Sequence, residues 1–245
     1  MAVNYFDNRI AAMYDDEEMF NPQVVEPAVE FLVHLAGGGK VLEFGIGTGR
    51  IALPLARRGL LVYGIDLSRP MIDKLAAKPG AADIRVKLGD FSTTKLDDSF
   101  SLVYLVFNTI MNLTTQAEQI ACFHNAAAHI EPGGVFVVEV MIPRISKLPF
   151  GEKFFAYDVS DRHWGVDEYD VSTQGLVSHH LRFVNGSIER FSIPFRYVWP
   201  SELDLMAALA GMTRPERWGS WTREPFTSLS ESHVTVWAKP MRKSA

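Results

Sequence analysis

Between residues 41 and 141, short apolar runs alternate with stretches whose apolar positions recur every three or four residues. The runs are rich in Val, Ile, Leu and Phe, as expected of strands buried on both faces, and the stretches between them carry the period of amphipathic helices. Strands are predicted at 40–44, 61–65, 84–87, 100–107 and 135–141, and helices at 49–58 and 70–77. Thr115-Gln116-Ala117-Glu118 is a capping box opening a third helix, whose stripe is Ile120, Phe123, Ala127 and Ile130. Glu131-Pro132-Gly133-Gly134 is expected to stop that helix and turn the chain into the next strand. Strands alternating with helices argue for a parallel α/β sheet covered on both faces.

After Pro143 the period changes to two. Val177, His179, Leu181 and Phe183 fall on one face of a predicted strand, and Phe191, Ile193, Phe195 and Tyr197 on one face of the next. Asn185-Gly186 between them is a hairpin signal. A helix is predicted at 201–210, stopped by Gly211, and a last strand at Ser232–Ala238. Ahead of the core, helices are predicted at 5–14 and 22–35, with Pro27 either splitting the second or marking its true start. The acidic stretch Asp15-Asp16-Glu17-Glu18 between them reads as a lid or as a solvated linker. The chain is therefore expected to be one domain: a helical lid at 1–36, a core at 37–141, a β-rich cover at 142–199 and a return to the core sheet at 200–245.

Composition narrows the function. With 245 residues, 47 % of them hydrophobic, a sizeable core can be buried. The 24 basic and 29 acidic residues give a net charge of −5 with no polybasic block, which disfavours a nucleic-acid partner and suits a small or neutral substrate. The single cysteine, Cys122, excludes an internal disulfide, and no segment reads as a secretory signal or a membrane span. A soluble protein of the cytoplasm is expected.

The chemistry concentrates in Glu43-Phe44-Gly45-Ile46-Gly47-Thr48-Gly49-Arg50, a strand followed by closely spaced glycines and a helix, where backbone can approach a ligand closely. The dinucleotide fingerprint needs a glycine at the sixth place, which here is Arg50, and the nearest phosphate-loop candidate, Gly39-Lys40-Val41, lacks the required Ser or Thr. Glu43 would repel a pyrophosphate and welcome an ammonium or sulfonium. Asp66 ends the second strand, where its carboxylate can accept two hydrogen bonds from a ribose diol. In Gly89-Asp90-Phe91, Asp90 can accept from an adenine amino group while Phe91 packs on the ring.

In order and spacing these segments resemble the successive motifs of class I S-adenosylmethionine-dependent methyltransferases, over residues 5–141. The resemblance implies a Rossmann-like α/β fold: a mostly parallel seven-stranded sheet with helices on both faces, plus a late antiparallel β insertion forming a cover. It implies S-adenosylmethionine as cofactor, with Glu43, Gly45, Gly47 and Gly49 along its methionine part and Asp66 on the ribose. Leu67 and Met71 would flank the adenine, Asp90 and Phe91 would lie at its edge, and Phe107 and Asn108 beside the sulfonium. Where the family often has an Asp at the start of the fourth strand, this chain has Ser101. The helical lid and the β-rich cover are similar to the small-molecule branch, including aminosugar N,N-dimethyltransferases.

The acceptor side has candidates but no motif. His179 could point into a substrate pocket as a base or be a satisfied core histidine, with His180 on the opposite face. His163 is placed in a loop beside Trp164, and Tyr14 could cap the sulfonium or pack the first helix. Asp161, His163, Asp167 and Glu168 could hold a magnesium ion, although a solvated loop is the simpler use and no metal is assigned. The aromatic alternation Phe191, Phe195, Tyr197 and Trp199 suits sheet core, a ring-bearing substrate or a homodimer contact. The expected reaction is methyl transfer to an O or N atom of a small acceptor. The alternatives are a macromolecule (RNA or protein) methyltransferase and a non-catalytic S-adenosylmethionine-binding protein.

Overall fold

The computed structural model describes residues 4–16, 21–184 and 186–241, without the side chains of Asp16 and Arg214. The N-terminal helix α1 (Asn8–Met13) starts later than the predicted 5–14, because the Asp7 carboxylate caps it by accepting from the backbone N–H of Arg9 and Ile10. A single 3-10 turn, Tyr14–Asp16, follows. Helix α2 (Pro22–Ala36) is capped by Asn21 and stopped by Gly37 at φ 56°. Pro27 does not split it; so near the start, the missing N–H costs one ladder bond.

Strands β1 (Val41–Phe44), β2 (Val62–Asp66), β3 (Arg85–Leu88), β4 (Phe100–Leu105) and β5 (Ile130–Met141) are connected by helices α3 (Ala52–Arg57), α4 (Arg69–Ala76) and α5 (Gln116–His129), except that β3 leads to β4 through a loop. The Thr115–Glu118 capping box forms as predicted. The Glu131–Gly134 segment follows the end of α5 as expected but lies within β5 as an irregularity: Gly133 takes φ 86°, the pairing with β4 jumps from Ile130 to Val135, and Gly133 and Gly134 exchange backbone bonds with Lys239. The Lys239 ammonium then satisfies the free carbonyls of Ala127 and Ile130 at the end of α5.

After β5 come four strands with no helix between them, β6 (Phe154–Val159), β7 (His163–Asp170), β8 (Gly175–Val184) and β9 (Ser187–Arg196), then helix α6 (Pro200–Leu209) and strands β10 (Thr213–Trp218) and β11 (Ser232–Ala238). Strands β6, β7 and β10 had no counterpart in the sequence pattern. The β8–β9 turn carries Gly186 at φ 77°; Asn185 lies outside the described residues.

The strands form two sheets. The seven-stranded sheet runs β10-β11-β5-β4-β1-β2-β3, parallel from β5 to β3 with β11 and β10 antiparallel at one side. Alternate residues serve opposite faces: Leu42, Val103 and Phe136 pack with Phe123 of α5, and Val41, Leu102 and Val137 with Leu32 of α2. Ser101 stands at the start of β4 and holds two carbonyls, those of Ala36 and Lys40. The four-stranded sheet β6-β7-β8-β9 is an antiparallel meander. It is tied to the core at its root by Arg196, whose buried guanidinium donates to Gln119 of α5, to Gln174 and to Glu202 of α6. Among the described residues, no helix is long and apolar enough to cross a membrane.

Candidate functional site

The carboxyl ends of β1 to β4 form the floor of a cavity of about 1250 Å³, with α1 along one side and the inward face of the meander as its roof. Ligand pockets typically measure about 300–1,000 Å³, so this one has room for two molecules side by side.

The floor is built by the glycine loop. Gly45, Gly47 and Gly49 take φ 71°, 55° and 83°, the left-handed region that side chains disfavour. Gly45 and Gly47 line the cavity; Gly49 does not, because its Cα packs against Leu53 and Leu75, so its place is in the turn. Asp66 fastens the loop: its Oδ2 accepts from the Gly47 N–H at 2.7 Å and its Oδ1 from the Ser68 N–H at 2.7 Å. Burial raises its pKa, and the backbone N–H groups of Ser68, Gly47 and Leu67 oppose the rise. Leu67, Met71 and Phe91 supply apolar wall beside it, and the Asp90 carboxylate lies next to them with Oδ1 held by Ser92.

Glu43 is not on the cavity surface. It is 3 % exposed and lies behind the loop, where Tyr104 Oη donates to it at 2.8 Å. Burial pushes its pKa up to about 8, against the opposing pull of Tyr104 and of Arg50. The side chain alternates into the sheet layer rather than toward the ligand side, which the motif alone did not reveal.

At the end of β4, Phe107 and Asn108 adopt φ 57° and 60° in succession, a costly conformation for side-chain-bearing residues. Glu139 holds it: Oε2 accepts from the Phe107 N–H and the Glu139 carbonyl from the Asn108 N–H, while Asn108 Oδ1 accepts from the Met141 N–H. Arg50, the residue in the sixth place of the loop, stacks its guanidinium on the Phe107 ring at 4.3 Å. Phe107 and Asn108 line the cavity.

The N-terminal segment closes the side. Tyr14 lines the cavity with Phe6, the two rings meeting edge to face at 6.1 Å. Asp15 is no solvated linker residue: it accepts from Thr48 of the glycine loop at 2.6 Å and pairs with Lys78 at 2.8 Å and Lys74 at 3.5 Å. Glu17 and Glu18 lie outside the described residues.

The roof corrects the histidine assignment. His179 points to the outer face, where it bonds Ser192 and Glu168 and does not reach the cavity, whereas His180 does. Of the apolar partners of His179, Val177 and Leu181 alternate outward with it and only Phe183, at the end of the strand, reaches the cavity, because the inner face covers a ligand-sized cavity and not a dry core. His163 is in β7 rather than a loop and also lines the cavity; its Nε2 lies 3.0 Å from His180 Nδ1 and its Nδ1 2.6 Å from Asp158. Sequence reasoning missed Tyr157, Asp158 and His180, for which no motif exists. The four residues considered for magnesium do not converge: Asp167 faces the cavity while Glu168 pairs with Lys153 and His179 outside. Among the described residues no group of three or more metal-ligating side chains occurs.

Phe191 and Phe195 line the cavity and Tyr197 is buried. The floor thus offers two carboxylates, Asp66 and Asp90, with an apolar slot of Leu67, Met71 and Phe91 between them, and among the described residues no basic side chain from β1 to β4 lines it.

Residues 41–134 match the family model described as a methyltransferase domain. The chain is 30 % identical over 204 residues to the cypemycin N-terminal methyltransferase of Streptomyces sp, covering 81 % of this chain and 82 % of that one. The CcbJ methyltransferase structure from Streptomyces caelestis superposes with a TM-score of 0.85 at 36 % identity, covering 94 % of this chain and 96 % of that one. The structure of CalS10 with bound SAM, an amino pentose methyltransferase from Micromonospora echinaspora, shares the fold at a TM-score of 0.68 and 20 % identity, covering 98 % and 100 %.

Proposed function

Since the chain belongs to the S-adenosylmethionine-dependent methyltransferases, we propose that its acceptor is a small molecule and that the methyl group goes to an amine nitrogen. The observation that carries this reading is the roofed cavity, large enough for a second ligand beside the cofactor and closed by a sheet that presents His163 and His180 among aromatic side chains. The names of the relatives support nitrogen: one is a cypemycin N-terminal methyltransferase and another an amino pentose methyltransferase.

The cofactor supplies an electrophilic methyl on a sulfonium. This chain's residues do the rest. Asp66 takes the ribose hydroxyls on the lone pairs left free by Gly47 and Ser68, Leu67 and Met71 grip the adenine, and Asp90 with Phe91 meets its edge. Phe107 and Asn108, fixed by Glu139, set the wall at the reacting end, and Tyr14 covers it from the lid. Holding donor and acceptor in line in a site cleared of water supplies most of the rate enhancement such a displacement needs. A cytoplasmic location belongs to the same reading, supported by Cys122, buried as a free thiol.

Calorimetry with S-adenosylmethionine and S-adenosylhomocysteine, followed by turnover with a panel of aminosugars, peptide amino termini and phenols, tests the proposal. Binding of both cofactors and methylation confined to the amines is expected; methylation of phenols alone would overturn the nitrogen assignment.

A further inference from the structure

The inward face of the meander carries a chain of hydrogen bonds whose direction is set by Asp158 at one end. Asp158 Oδ2 accepts from His163 Nδ1 at 2.6 Å, which leaves His163 Nε2 with a lone pair. That lone pair faces His180 Nδ1 at 3.0 Å, so His180 Nδ1 carries the hydrogen. From the other side, Tyr157 Oη lies 3.2 Å from both Ser178 Oγ and His180 Nδ1. With the His180 Nδ1 hydrogen on that side, Tyr157 donates to Ser178 and offers its own lone pair to His180. The protons of His180 Nδ1, His163 Nδ1 and Tyr157 all point away from the His180 ring. The imidazole is clamped in this orientation by Phe191, stacked at 4.5 Å and 9°. Its Nε2 makes no hydrogen bond to any described residue and is left as a lone pair in a ring that lines the cavity.

We propose that His180 Nε2 removes the proton of the acceptor nitrogen and that His163 and Asp158 carry the resulting charge. The acceptor enters as its ammonium ion: one N–H bond breaks and its electron pair stays on nitrogen as the lone pair that takes the methyl group. The proton bonds to His180 Nε2, the His180 Nδ1 proton passes to His163 Nε2, and the positive charge rests on a His163 imidazolium beside the Asp158 carboxylate. After product leaves, the proton returns along the same path to water in the cavity.

The surroundings explain why a pair is used rather than one histidine. His180 is held neutral, its pKa lowered to about 4 by burial and then by His163, Arg182 and His179. An imidazolium there would be strongly disfavoured, whereas His163 has Asp158 against its Nδ1. Tyr157 faces the pair from β6 with its pKa pushed up to about 12 by burial, so it stays protonated. Arg9 of α1 approaches the far side of the cluster through the Phe191 ring at 5.8 Å.

This inference rests on the reading that the acceptor is an amine, and the test separates the two. In cofactor-free, 15N-histidine-labelled protein at neutral pH, NMR should show both His163 and His180 protonated at Nδ1, with resonances assigned from His163→Asn and His180→Gln. Asp158→Asn should release His180 from that tautomer. His180 found protonated at Nε2 in the native protein would overturn the inference whatever the acceptor is. For any amine that turns over, His180→Gln should lower kcat by about 100-fold and His163→Asn should lower kcat while leaving the acceptor KM within twofold. Both should leave S-adenosylmethionine affinity within twofold. A kcat within twofold of native for His180→Gln would equally overturn the inference, and failure of every amine would sink the acceptor reading while the tautomers still decide the relay.

Discussion

Glu43 and Tyr104 are direct neighbours across parallel strands β1 and β4, and the Tyr104 hydroxyl donates to the Glu43 carboxyl at 2.8 Å with both side chains sealed from solvent. The glycine loop begins two residues after Glu43, so the loop rests on a buried acid. Its folded pKa, about 8, is above the 4.5 of an ordinary glutamate. The folded state therefore holds a proton that the unfolded state releases, and the associated stability is complete below about pH 4.5 and lost as pH rises to about 8. Glu43→Gln should abolish that decline in the cofactor-free protein, read as the urea midpoint at pH 6 against pH 8.5. The same slope in native and variant would contradict the assignment.

Asp66→Ala removes the acceptor for Gly47 and Ser68 as well as the proposed ribose contact. Losing charge-assisted bonds of about 1.5–3 kcal/mol predicts an S-adenosylmethionine Kd raised by roughly 10- to 100-fold. Calorimetry checks it, and an unchanged Kd would remove Asp66 from the cofactor site.

Asp15 latches the N-terminal segment to Thr48 and Lys78. Asp15→Ala should raise the dissociation rate of S-adenosylhomocysteine severalfold, measured by stopped-flow, and expose α1 to protease. Because the latch is an ion pair only partly shielded from water, added salt should narrow the difference between native and variant. Indistinguishable off-rates at low salt would argue against a latch.

Gly165 permits the Tyr157 ring to lie across β7; a Cβ there would collide with ring atoms and the hydroxyl. Gly165→Ala should therefore lower kcat by at least the effect of Tyr157→Phe while leaving cofactor affinity unaltered. A loss of cofactor binding instead would show that the roof and the floor are not independent.

Arg196 ties the meander to the core through a buried ion pair with Glu202. Arg196→Met leaves that carboxylate without its charge partner and should cost about 3–5 kcal/mol of stability, whereas Arg196→Met with Glu202→Leu should recover most of it. Denaturant unfolding of the two variants decides this.

How much of this was legible in the sequence depended on what each strand buries. Leu42, Val103 and Phe136 lie in a dry core, so hydrophobicity located β1, β4 and β5. Asp66, Asp90 and Phe91 follow such strands at fixed offsets and were found with them. In β8 the same logic misled: its inner face carries Ser178, His180 and Arg182 toward the cavity, and the more apolar Val177 and Leu181 alternate to the outside. Choosing the apolar face as the inward one selected His179, one residue from the histidine that matters. β7 escaped notice because His163, Asp167 and Glu168 give it the look of a solvated loop, and β6 shows no sequence signal for its role. Gly165 offered a hint only in retrospect, since its meaning depends on the Tyr157 ring that crosses it.

The meander leaves the α/β unit after β5 and returns before α6, so the roof is one uninterrupted stretch of chain, while the floor is encoded almost wholly upstream of it. Donor chemistry and acceptor choice are thus written in separate, consecutive passages of the gene. A relative's 154–196 segment could be exchanged as a unit, provided its root keeps a partner for Gln119 and Glu202, and such a chimera would inherit the host's cofactor affinity with the guest's acceptor preference.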